Sequence, residues 1–244
     1  MIASLLASLA LVAQPQEQAS ETPSSIVAPP APVPVPAPIS PPAPVQVIQI
    51  NGEEYGADLP LDYCTINPNP APIQQMIRLD QENPSRGQMV KYGYYCGPEM
   101  RPVSDENGYF IRQYPHLGNG FASREAFLAN AATKSQEPGF AAALNDPART
   151  AKARYFAKSV SGEEIDMNVR DMPLSTDDVC SYTRLWISDP GASEPLIWGI
   201  ACYSWIDGII IKVDFFSGRR LNLSEGELAR RARKVMASLF KVPE

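Results

Sequence analysis

The sequence predicts an α+β fold: an antiparallel sheet, a meander around residues 151–216, packed by helices near 123–136 and 224–240 and preceded by a disordered proline-rich segment. Three observations point there. Asp207-Gly208 stands between two apolar runs, and a type I′ hairpin turn needs positive φ at both central residues, which this pair tolerates. Ser224 and Glu227 have the spacing of a capping box ahead of an apolar helical stripe. Residues 23–45 alternate proline with Ala, Val and Ile; proline fixes φ and lacks the backbone donor, so this tract enters neither a helix interior nor a central strand.

In chain order, the apolar run Ile2–Ala13 has the length of a signal-peptide core and falls well short of the ~20 residues that span a bilayer. Residues 1–13 therefore read as a signal peptide removed near Gln14, leaving no stable transmembrane span. Residues 14–45 read as a linker. At ~3.1 Å per residue its proline tract extends on the order of 70 Å. Residues 46–244 read as a single disulfide-stapled α+β domain, with an irregular first part over 46–120 and a regular second part over 121–244.

In the first part, "VQVIQI" and "QMVKYGYYC" read as strands, "IQQMIRLDQ" as a short helix, and Asn107-Gly108 as a turn before "YFIRQY". In the second, "FASREAFLANAATKS" opens on Ser123 as N-cap and meets a stop at Pro138. "EEIDMNVRD" alternates Ile165, Met167 and Val169 with Asp166, Asn168 and Arg170, the period of a half-buried strand. The last helix places Leu228, Ala232, Val235, Met236 and Leu239 on one stripe, with Leu223 stapled to Leu228. Arg230, Arg231, Arg233 and Lys234 fall on its other faces and read as a solvated surface.

The cysteines are four. Pairing 179–187 with 195–206 across "SDPGASEP" sets Cys180 opposite Cys202, Tyr182 opposite Ile200 and Arg184 opposite Trp198. Opposed cysteines fall within disulfide reach, and Arg184 over Trp198 is a cation–π contact. Cys64 and Cys96 would form a second bridge, one of the three connectivities that four cysteines allow. An exported chain meets an oxidising compartment, which favours both. Zinc prefers closely spaced Cys and His, whereas here no C-x-x-C occurs and His116, in a turn-rich stretch, is the single histidine.

No G-x-S-x-G, Walker loop or H-E-x-x-H is present, so the sequence asks for no metal, no cofactor and no recognised catalytic residue. A formal charge of −6 does not suit a nucleic-acid binder, which needs concentrated positive surface. The candidate binding residues are Tyr182, Arg184, Trp186 and Trp198. The antiparallel strands and capped last helix over roughly 120–240 resemble the PsbP/Mog1-like α+β sandwich, a layout that implies small exported binding proteins and no site residue. The apolar start, proline-rich span and C-terminal α+β part also resemble TonB-type energy transducers, although the alternating Glu-Pro and Lys-Pro blocks of that family are missing. The expectation is a periplasmic or secreted, non-catalytic binding or scaffolding module whose partner is an envelope protein or a small ligand. The alternatives are a hydrolase using carboxylates near Glu163, Glu164 and Asp166, and an envelope-spanning adaptor of the TonB kind.

Overall fold

The computed structural model describes residues 45–65, 71–82, 87–97, 107–145, 147, 151, 154, 166–190, 192, 195–219 and 221–243, and among them two antiparallel sheets and four bounded α-helices are defined. Residues 1–44, which hold the segment read as a signal peptide and all but the last residue of the proline tract, lie outside the described residues, as do Glu163, Glu164 and Ile165. The strands are β1 Gln46–Ile50, β2 Glu53–Ala57, β3 Tyr63–Cys64, β4 Gln88–Tyr95, β5 Gly108–Tyr114, β6 Asn168–Thr176, β7 Ser181–Ser188, β8 Ile197–Ile206, β9 Ile209–Gly218 and β10 Phe240–Lys241. The helices are α1 Ala71–Glu82, α2 Arg124–Ser135, α3 Phe140–Leu144 and α4 Glu225–Ser238. The main sheet runs β3-β4-β5-β9-β8-β7-β6, and the small one β1-β2-β10. The stretch read as irregular thus supplies five strands and a helix, and two of those strands, β2 and β5, also pair with partners far along the chain.

β6 to β9 form the expected meander. Asp207 and Gly208 adopt φ of 49° and 85°, the I′ signature, and pin Ile206 opposite Ile209. Alternate residues of β9 then divide between the sheet's two faces. Ile209, Ile211, Val213 and Phe215 enter the principal core beneath α4 and the small sheet, where Ile211, Val213 and Phe215 are completely buried. Ile210 and Phe216 point the other way. There α1 covers Tyr92, Tyr94, Phe110 and Phe216, while α2 packs Phe127 and Leu128 on Ile210.

Helix starts follow the sequence closely. Ser123 Oγ accepts the Ala126 N–H at 3.2 Å, and Ser224 Oγ accepts that of Glu227 at 3.2 Å. Leu223 packs on the cluster containing Leu228, as a staple should. The end of α4 departs from expectation. The helix stops at Ser238, Leu239 turns extended, and Phe240 and Lys241 leave it to pair with Gly56 and Tyr55 of β2. β6 likewise begins at Asn168, later than the alternation implied.

The β7–β8 register is the main correction. Tyr182, not Cys180, stands opposite Cys202; Arg184 faces Ile200, and Trp186 faces Trp198. The observed register is a two-residue slip from the expected one. Such a slip keeps every side chain on the same face, so burial does not discriminate between the two. Cys180 sits just before β7 and still bridges to Cys202, with Cα atoms 5.2 Å apart. A diagonal pair on flat strands lies at ~7–8 Å, so the bend ahead of β7 is what brings Cys180 within reach. Cys64 and Cys96 form the second bridge, at 5.9 Å.

Candidate functional site

The four candidate binding residues lie on one face of β7 and β8, but they separate into two environments. Tyr182 is buried, and its hydroxyl donates to Asp177 Oδ2 at 2.9 Å. It belongs to a structural hub. Asp177 also accepts the N–H groups of Val179 and Cys180, and Arg233 of α4 donates to it through Nε at 2.9 Å. Burial works against the Asp177 charge, but these donors outweigh it and hold the carboxyl below its usual value. The hub therefore fastens the Cys180 bend to α4.

Arg184, Trp186 and Trp198 do come together, at the N-terminal end of α4. Arg184 lies over Trp186 with 5.1 Å to the ring centroid, so the expected stacking on Trp198 is replaced by a neighbour two residues along the same strand. The slipped register explains it, because Trp198 now faces Trp186. Arg184 Nη2 donates to Glu225 at 2.6 Å, and Trp198 Nε1 to the Leu223 carbonyl at 2.7 Å. Two donors of this patch remain unspent: Arg184 Nε and Trp186 Nε1 are buried without a hydrogen-bond partner. Exposed Arg170 of β6 stands opposite Trp186 at the open side of this patch.

The basic face of α4 is not simply solvated. Arg231 reaches Asp62 at 2.8 Å and lies over the Tyr63 ring; Arg233 pairs with Asp177 and Asp178, Lys234 with Asp58, and Arg230 with Glu227. The cavity of about 430 Å³ beside Arg230, Arg233 and Lys234 is thus walled by cations already matched to carboxylates. The basic run gave no hint of this in the sequence, because all its acidic partners except Glu227 come from remote loops.

A second polar group crosses the opposite face of the main sheet, between α1 and α2. Arg112 donates to Asp80 at 2.7 Å, and its cross-strand neighbour Lys212 reaches Asp214 at 2.7 Å while lying over Tyr203. Burial opposes the Lys212 charge, but Asp214, Tyr203 and Tyr114 hold it above its usual range. Burial pushes the Tyr203 phenol up to about 12 against the pull of Lys212. Burial likewise raises Tyr63 to about 12, opposed by Arg231.

Every displaced group among the described residues moves away from neutrality. Tyr55, Tyr63, Tyr109, Tyr182 and Tyr203 rise, as do Lys212, Arg231 and Arg233, while Glu125, Asp177 and Glu227 fall. General acids and bases are tuned in the opposite sense, toward the working pH. Of the carboxylates considered for hydrolysis, Asp166 is paired with Arg154 at 2.6 Å. His116 sits exposed in the turn after β5, and Ser238 is engaged by Val235 and Asp58. No protein-family model matches the chain, and no curated protein matches it in sequence.

Proposed function

We propose that this protein is an exported, non-catalytic binding module of the cell envelope or its surroundings, and that the Arg184–Trp186–Trp198 patch takes an acceptor-bearing group of its ligand. The observation that carries this reading is the pair of unspent donors, Arg184 Nε and Trp186 Nε1, in an arginine-aromatic setting. Buried polar groups are nearly always satisfied, so the two unsatisfied donors of this patch support a reading in which a ligand supplies the acceptor. A carboxylate or phosphate suits an arginine already stacked on an indole. Two disulfides fit an oxidising compartment, extracellular or periplasmic. Among the described residues no helix is long and apolar enough to cross a membrane. The PsbP/Mog1-like layout is part of the same proposal, supported by an antiparallel sheet with a C-terminal helix laid across one face.

The test compares immobilised full-length protein with an Arg184→Gln/Trp186→Phe variant, which keeps both rings and loses both donors. Species retained from an envelope extract by the wild type and lost by the variant are the expected result. Identical retention by the two proteins sinks the reading, as does retention of nothing by either.

A further inference from the structure

Sheet edges are where unpaired backbone groups invite another chain, and folded proteins blunt them by recognisable devices. Three of the four edges described here are blunted. β3 and β10 are two residues long, and β10 carries Lys241. β6 contains Pro173, shifts register between Pro173 and Thr176, and has its backbone closed by Asn145, whose side chain bonds both the N–H and the carbonyl of Asp171. The fourth edge, β1, has none of these. Its sequence, QVIQI, holds no charge and no proline, and it pairs with β2 without a register shift.

The hairpin geometry fixes which groups of β1 face outward. Asn51 and Gly52 have φ of 51° and 86°, a two-residue I′ turn, so the flanking pair Ile50 and Glu53 is hydrogen-bonded and the pattern alternates from there. Ile50, Ile48 and Gln46 therefore bond to β2. The N–H and C=O groups of Val47 and Gln49 point away from it, toward the free edge. Consistently, Gln49 meets Glu54 through side chains, at 3.1 Å. On the outer face of the same sheet, Val47, Gly56 and Phe240 make one cross-strand row. Val45, Val47 and Phe240 are 54%, 56% and 50% exposed, an apolar patch running up to the open edge.

We infer that the β1 edge is an interface for a second copy of this chain, the two β1 strands pairing antiparallel about a two-fold axis with Val47 opposite Val47 of the second copy. This register sets Val45 against Gln49 of the other copy, so all the outward groups of Val47 and Gln49 enter the ladder. It joins the two small sheets and brings the exposed valines together. A two-fold axis sets a strand against itself, and a charged edge would meet its own charge. An uncharged edge suits this pairing.

Sedimentation of the full chain over a concentration series tests this. The wild type is expected to reach twice the chain mass, with the amides of Val47 and Gln49 gaining exchange protection as the dimer forms. Val47→Lys places two cations at the axis, and Gln49→Pro removes an outward donor while leaving the bonds to β2 intact. Both variants are expected to stay monomeric, with unchanged melting of the monomer and both disulfides mapped as in the wild type. A wild type that is monomeric throughout overturns the inference, as does a dimer that survives both substitutions. Protection of Val47 and Gln49 in a monomer assigns the edge to another segment or partner and overturns it equally.

Discussion

Asp177 concentrates more of the fold's polar bonding than its neighbours in sequence announce. Two backbone N–H groups, one phenol and one guanidinium converge on it, and its own N–H donates to the Cys180 carbonyl. Because its folded pKa is depressed, its contribution to stability is complete above the ordinary carboxylate value of ~3.9 and is lost as pH falls through the folded value. Asp177→Asn is therefore expected to melt lower than wild type at neutral pH. The gap should stay level down to about pH 5 and close at lower pH, where the wild-type carboxyl protonates. A gap independent of pH across the acid range would show that the Asp177 charge contributes nothing. Asp177 was not recognisable beforehand. It reads as one of two acidic residues leading into a strand, and only the slipped register turns that lead into a bend around a carboxylate. Tyr182, Arg184, Trp186 and Trp198 were legible as a group on one face, whereas their individual partners depended on that slip.

Among the elements, those with local signals were the ones the sequence revealed. α2 and α4 begin where their serine caps place them, and the β8–β9 hairpin turns at Asp207-Gly208. Ser224→Ala should raise the unfolding tendency by roughly 0.5 to 2 kcal/mol, read as a lower denaturation midpoint. An unchanged midpoint would mean that Glu227 N–H finds an equivalent acceptor without the serine. What stayed hidden are features decided by distant residues. β10 looks like the last turn of α4 until Gly56 supplies a strand to pair with, and the ring of Phe240 lies over the space that a side chain at 56 would occupy. The basic residues of α4 look solvated until Asp58, Asp62, Asp177 and Asp178 arrive from loops far away in sequence.

At the scale of the whole molecule, both bridges sit beside the α4 ion pairs: Asp62 lies just before Cys64, and Asp177 just before Cys180. The Cys180–Cys202 bridge closes a loop of 22 residues, and chain-entropy estimates for that length come to roughly 3 kcal/mol. The Cys180→Ser/Cys202→Ser variant should accordingly melt well below wild type under oxidising conditions, and most of the difference should disappear once wild type is reduced. A variant with the wild-type melting temperature would show that the bridge does not constrain the unfolded chain. The export reading has its own check at this scale. Mass spectrometry of the mature protein should find a chain beginning near Gln14, and intact Met1 in the cytoplasm would reject it.

The pairing of β2 with β10 also sets an order in time. The β1–β2 hairpin is local and is synthesised early, yet its third strand is made only after all of β3 to β9. Contacts of such long sequence separation form late, because the loop between them must first be closed. A growing chain therefore carries an incomplete small sheet, with Gly56 uncovered, until Phe240 has been made. Chains stalled before that point should be the protease-sensitive, aggregation-prone species during biogenesis.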